Sequence, residues 1–207
     1  MVLIHGFIVK PYVVPSPSME QTLEVGDRIY VNRILNNVED PERGDIVVFN
    51  ASESWESASE ISGFRRFVGA VGDVLGIGPS NHHALVKRVI GVPGDIISCC
   101  SSQGAVIVNR TALSESHISN DYPFIPGQLD CNSEVMSSRC FAPIKVPSGE
   151  YLVMGDQRSN SSDSVSRCRA APQNENTSST CARFAQRTDI VGKVLFRFWP
   201  FSRIGGI

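Results

Sequence analysis

Apolar and polar positions alternate with a period of two through much of the chain. Arg28-Ile29-Tyr30-Val31-Asn32-Arg33-Ile34 alternates as a half-buried strand does, one face to the core and one to solvent. Tyr12-Val13-Val14 reads as extended, and Arg43-Gly44-Asp45-Ile46-Val47-Val48-Phe49 places β-branched and aromatic residues after a turn. Leu85 to Ile90 predicts a further strand, closed by Gly91-Val92-Pro93-Gly94-Asp95. Asp95 to Cys100 and Ala105 to Asn109 flank Ser101-Ser102-Gln103-Gly104 and predict a hairpin. Tyr151 to Met154 leads into Gly155-Asp156, and Ile190 to Phe198 is the last predicted strand before Trp199-Pro200. Gly-Asp pairs at 26, 44, 94 and 155 each border a strand, as turns do. The fold class is therefore mainly β: coiled antiparallel sheets with a few short helices.

Three stretches break the alternation. Residues 50–63 are rich in Ser and Glu and read as a loop. From Phe64 to Ile77 the apolar residues Phe64, Phe67, Val68, Val71, Val74 and Leu75 follow helical spacing, a short amphipathic helix for a membrane surface or for the chain's own sheet. Ser166 to Ala182 is polar and reads as an insertion stapled by Cys168 and Cys181. The organisation expected is an N-terminal segment, 1–11, and one domain, 12–207, with insertions at about 50–83, 110–147 and 166–182. Met1 to Val9 is apolar but far shorter than the roughly 20 residues of a membrane span. It is a buried strand or the trailing end of an anchor.

Composition narrows the class. At 207 residues, 42% hydrophobic and net charge −2, the chain can bury a sizeable core, and its charge offers no support for nucleic-acid binding. The six cysteines form no CxxC, and the four histidines lie in other segments, so zinc-ligand spacing is absent. Cys131 with Cys140 and Cys168 with Cys181 bracket short polar loops as natural disulfides, which favours an oxidising, extracytoplasmic setting; free thiols are the alternative. Cys99 and Cys100 are adjacent in a predicted strand, so their side chains should face opposite sides without a bond between them.

The chemistry-bearing stretch is Pro15-Ser16-Pro17-Ser18-Met19-Glu20-Gln21-Thr22-Leu23. Two prolines fix the backbone around Ser16 and hold Ser18 on a stiff segment. A rigidly held hydroxyl is a nucleophile only beside a base. His5, His82, His83 and His117 fall outside any structured motif and read as surface histidines. Lys87, mid-strand among apolar neighbours, is the other candidate, with Arg88 facing the opposite side. Burial disfavours the charged ammonium and lowers its pKa by up to several units, which makes an amine base available near neutral pH. The competing reading is a lysine that extends its ammonium to solvent.

Four blocks in order settle that choice. Pro15 to Leu23, Arg43 to Phe49, Lys87 to Asp95, and Gly155-Asp156-Gln157-Arg158-Ser159-Asn160-Ser161-Ser162-Asp163-Ser164 resemble the bacterial type I signal peptidases, the Ser/Lys leader peptidases of peptidase family S26. The resemblance continues through Ile190 to Lys193 and Trp199-Pro200. It implies Ser18 as nucleophile and Lys87 as general base. It implies an oxyanion hole of the Ser16 hydroxyl and the Ser18 amide, with Ser161 orienting the lysine and Asp156, Arg158 and Asp163 bracing the site. It also implies that substrate lies between segments 12–16 and 84–86, with Val14, Met19, Leu23, Ile29, Val48, Leu85 and Val86 lining shallow pockets. Packing in the core is the plainer role for those apolar residues. Gln21 departs from the family's proline, Ser159 from its usual aspartate and Val165 from its arginine; Arg167 is the candidate replacement partner for Asp163.

What the resemblance implies about function is a serine endopeptidase that removes signal peptides from exported proteins after Ala-X-Ala-type sites through an acyl-enzyme, with no metal and no cofactor. It further implies a monomer at a membrane lipid surface, its active domain on the extracytoplasmic side of the cell membrane. Phe196 to Ile207, with Phe198, Trp199, Phe201 and Ile204, reads as a segment at the lipid interface, where tryptophan and arginine are favoured, or as a buried C-terminus. A self-cleaving repressor-type Ser/Lys protease is disfavoured because only 17 residues precede Ser18. A non-catalytic β-rich binding module is the reading from a different class.

Overall fold

The computed structural model of the chain describes residues 9–33, 39–52, 55, 84–170 and 180–207. The expected helix at 64–77, most of the loop at 50–63, the N-terminal residues 1–8, and His5, His82 and His83 lie outside the described residues.

Strands dominate, as the alternation requires. They are β1 (Val9–Val13), β2 (Arg28–Asn32), β3 (Ile46–Asn50), β4 (Ala84–Gly91), β5 (Ile96–Cys99), β6 (Val106–Val108), β7 (Thr111–Ala112), β8 (Phe141–Lys145), β9 (Glu150–Met154), β10 (Ala185–Gln186), β11 (Ile190–Trp199) and β12 (Gly205–Gly206). Short 3₁₀ turns lie at Pro17–Met19, Arg158–Asn160 and Phe201–Arg203. A large sheet runs in the order β1-β2-β11-β3-β4-β9-β10, with β12 on β11; a small one runs β7-β6-β5-β8. All the strand pairs are antiparallel. The long β11 pairs with β3 through its first residues and with β2 further along, with register shifts on the way. The expected hairpin is β5–β6.

The Gly-Asp pairs explain several strand entries. Gly26, Gly44 and Gly94 have φ of 90°, 97° and 90°, a region open to glycine at little cost. In each, the following aspartate accepts from the amide three residues back: Glu24 to Asp27, Glu42 to Asp45 and Val92 to Asp95, at 2.8–3.0 Å. Such self-bonded turns release the chain directly into β2, β3 and β5.

One apolar cluster joins the two sheets. Ile90, Leu152, Met154, Val165 and Cys168 pack against Ile97, Val106, Val108, Phe141, Ile144 and Val146. The join is tight at Gly91, where a Cβ would lie 2.2 Å from Ile97 Cδ1. The two faces of the large sheet carry the other clusters, one around Val14, Met19 and Val86 and one around Phe49, Trp55 and Tyr151.

The cysteines depart from expectation at one place. Cys131–Cys140 and Cys168–Cys181 are disulfides, as their spacing suggests, but Cys99 and Cys100 are bonded to each other as well. The face-alternation rule does not reach this pair because β5 ends at Cys99 and Cys100 lies beyond the strand, the two Cα atoms being 3.0 Å apart.

Candidate active site

Pro17–Met19 forms the 3₁₀ turn that carries Ser18, with Pro17 supplying the φ such a turn needs. Met19 and Leu23 are wholly buried and anchor the turn in the core, the Leu23 amide donating to Met19 O at 2.7 Å. Ser18 is therefore held from below while its hydroxyl faces β4.

There it meets Lys87. Strand alternation sends Lys87 inward, 3% exposed, and turns Arg88 the other way. Lys87 Nζ donates to Ser18 Oγ at 2.6 Å. Burial lowers the Lys87 pKa from 10.5 to about 8; nearby Arg183 pushes in the same direction, while Asp163 and Asp156 pull it back up. A neutral amine at this distance is able to accept the proton of the Ser18 hydroxyl. Ser16 Oγ lies 3.3 Å from Ser18 Oγ, so a second hydroxyl borders that of Ser18.

The loop after β9 closes the site from behind. Gly155 has an ordinary φ, and its importance is space: a Cβ would lie 2.4 Å from Ser161 Oγ and 2.5 Å from Ser18 O. The Gln157 amide donates to Ser18 O at 3.0 Å. Asp156 accepts from Arg88 Nε and Nη2 at 2.9 and 2.7 Å and from Thr22 Oγ1 at 2.6 Å. Arg158 donates from Nε to Gly155 O and from Nη2 to Glu115. Asp163, fully buried, accepts from the Val165 amide at 3.2 Å.

Three expectations change in detail. The Ser161 hydroxyl is buried at the site but makes no hydrogen bond, so the expected bond to Lys87 is not formed; Lys87 is turned to Ser18 and Ser161 packs against Gly155. Asp163 faces Arg169 at 3.5 Å rather than Arg167, which is exposed; the turns from Ser164 to Ala170 rotate the later arginine inward. Of the apolar residues, Val14, Met19, Leu23, Ile29, Val48 and Val86 share one buried cluster, whereas Leu85 packs on the opposite face of the sheet, as adjacent strand residues must.

His117 was expected at the surface and is instead half-buried, its Nε2 3.7 Å from Asp156 Oδ1. It lies in an irregular segment with no periodic pattern. Its one sequence signal is the proximity of a carboxylate, Glu115, that also reaches the site.

The sequence has relatives among known proteins. Residues 1–199 match the family described as signal peptidase, peptidase S26. The chain belongs to that family. It is 32% identical to a probable signal peptidase I-2 of Synechocystis over 98% of this chain and 68% of that protein. It is 33% identical to a probable signal peptidase I of Mycobacterium leprae over 97% of this chain and 72% of that one. Identity to a signal peptidase I of Mycobacterium tuberculosis is 32%, over 96% and 68% of the two chains. Membership in the S26 family makes the chain a serine peptidase, a hydrolase. Gln21, Ser159 and Val165, where the sequence departs from the pattern the resemblance implies, leave the serine-bearing turn and the lysine strand in contact.

Proposed function

We propose that the chain removes signal peptides from exported proteins, with Ser18 as nucleophile and Lys87 as general base. The observation that carries this reading is the 2.6 Å contact between Lys87 Nζ and Ser18 Oγ at a lysine 3% exposed. Ser18 Oγ attacks the scissile carbonyl as Lys87 takes its proton. The Ser18 amide and the Ser16 hydroxyl receive the oxyanion, donors that need no reorganisation as charge develops. Lys87 then returns the proton to the leaving amine, and the neutralised lysine activates the water that hydrolyses the acyl-enzyme. The protein's own residues suffice for every step, without metal or cofactor.

An extended substrate has a place to pair. Ala84 to Lys87 ladder with β3 on one side, while the β4–β9 ladder starts only at Arg88. A peptide added along that edge, which no described strand occupies, gains main-chain hydrogen bonds and delivers its carbonyl to Ser18. Small residues before the cut suit walls as closely packed as Val14 and Val86. The exposed Phe196, Trp199, Phe201 and Ile204 suit contact with a membrane surface, where substrates arrive.

The test is a peptide with an Ala-X-Ala site, assayed in detergent or lipid. The chain is expected to cut after the second alanine, and Ser18→Ala and Lys87→Ala to abolish cleavage while far-UV circular dichroism stays native. A folded Lys87→Ala variant with near-normal turnover would refute the dyad.

A further inference from the structure

The segment Glu115–Ser119 comes from neither sheet, yet its odd-numbered residues all reach the catalytic scaffold. Glu115 pairs with Arg158. His117 Nε2 lies 3.7 Å from Asp156 Oδ1. Ser119 makes two bonds: its amide donates to Asp156 O at 3.3 Å and its hydroxyl to Glu20 O at 3.1 Å. The next residue continues the contact, Asn120 bridging to Gln157 and its carbonyl accepting from the Ser159 amide.

On the other side, the nucleophile loop is held at every second residue by what this segment touches. Ser18 O receives the Gln157 amide, Glu20 receives Gln157 Nε2 on its carboxylate and Ser119 Oγ on its carbonyl, and Thr22 bonds Asp156. Between these anchors Gln21 adopts a φ of 74°, so the loop does not hold its path by backbone preference alone.

We propose that Glu115–Ser119 is a brace for the nucleophile loop, in which Ser119 and His117 are positioning residues, Ser119 acting through Glu20 and His117 through Asp156. This rests on the peptidase reading above. The groups facing His117 are Asp156, Arg88, Arg158 and Glu115. Burial, Arg88 and Arg158 favour the neutral imidazole, against the pull of Asp156 and Glu115. Its buried Nε2 has no hydrogen-bond partner, which a neutral ring tolerates with its proton on Nδ1. An imidazolium carries hydrogens on both nitrogens, and the acceptor facing Nε2 is Asp156 Oδ1. Closing that gap draws the carboxylate from Arg88 Nε and from Thr22, and loosens the loop. Misplacing a nucleophile lowers turnover more than binding.

The test uses the full chain and the Ala-X-Ala peptide. Ser119→Ala is expected to lower kcat about tenfold with KM unchanged, and Ser119→Thr, which keeps the hydroxyl, to restore it. On the acid side of the ordinary histidine range the slope of log kcat/KM against pH is expected to steepen from one toward two in the wild type, because Lys87 and His117 must both be neutral; it stays at one in His117→Gln. Amide hydrogen exchange across Ser18–Asp27 should quicken in Ser119→Ala with the melting temperature little changed. An unchanged kcat in folded Ser119→Ala, or a wild-type slope that stays at one, overturns the brace. A wild type that cleaves no peptide refutes the peptidase reading instead, and the exchange measurement then decides the brace: unaltered protection of Ser18–Asp27 overturns it.

Discussion

Replacing Lys87 by Met probes the dyad without any substrate. The fall of the Lys87 pKa from 10.5 to about 8 means that the folded state disfavours the ammonium relative to the unfolded chain. Such a difference corresponds to about 3 kcal/mol. Its sign follows from proton counting. Between pH 8 and 10.5 the unfolded chain holds the lysine proton and the folded protein does not, so stability rises with pH across this window by about 1.4 kcal/mol per unit. Below pH 8 the whole destabilisation is present; above 10.5 it is gone. Methionine has a similar length and no charge. It removes that destabilisation and loses one hydrogen bond, to Ser18, of about 1 kcal/mol. Lys87→Met is therefore expected to be more stable than wild type by about 2 kcal/mol at pH 7, and slightly less stable at pH 10.5. Urea unfolding from pH 6.5 to 10.5, followed by the fluorescence of Trp55, which is buried against Phe49, measures both proteins. The shift of Tyr151, raised chiefly by burial, is common to both and drops out of the difference. From neutral pH up to 8 the wild type's kcat/KM should rise about tenfold per pH unit, and it should level off above 8. A stability difference that does not change with pH would refute a depressed Lys87 pKa and with it the amine base.

Two further substitutions test the loop geometry. Gln21→Pro introduces the proline that the resemblance implies at this position, but proline cannot adopt a φ of 74°; the variant is expected to lose at least about 1 kcal/mol of stability and most of its kcat, read by thermal melting and peptide turnover. Gln21→Gly, which adopts that φ freely, is expected to keep full activity. Gly155→Ala drives a methyl into Ser161 Oγ and Ser18 O, with an expected loss of about 1–3 kcal/mol and about a hundredfold in kcat; wild-type turnover in this variant would contradict the close packing of the two loops.

The strands were legible because each writes its own periodicity. β2, β3, β4 and β9 announce a buried face by alternation or by a β-branched run, and turn residues punctuate them. The pairing order was not legible. Nothing in Ile190–Trp199 says that one strand will bond β3 with its first residues and β2 with its last, since that depends on the twist and the register shifts along it. The Ser18–Lys87 pair came through because its two motifs are contiguous and chemically unusual. Ser119 and His117 did not. Their roles arise from tertiary proximity to Glu20 and Asp156, and a short polar segment carries no periodic signal of what it will touch.

Asp156 shows the same limit within one dipeptide. Gly-Asp occurs at a strand boundary in four places, and the sequence treats them alike. In three, a glycine with positive φ curls the chain so that the aspartate satisfies an amide three residues back. The carboxylate is then consumed by its own turn. At Gly155 the chain does not curl, because the absent side chain is needed as space for Ser161 and the Ser18 carbonyl. Asp156 is thereby released from local bonding and takes Arg88 and Thr22, one from the lysine strand and one from the nucleophile loop. A turn aspartate becomes a bridge between the two halves of the site because its glycine neighbour is used for close approach instead of for curvature.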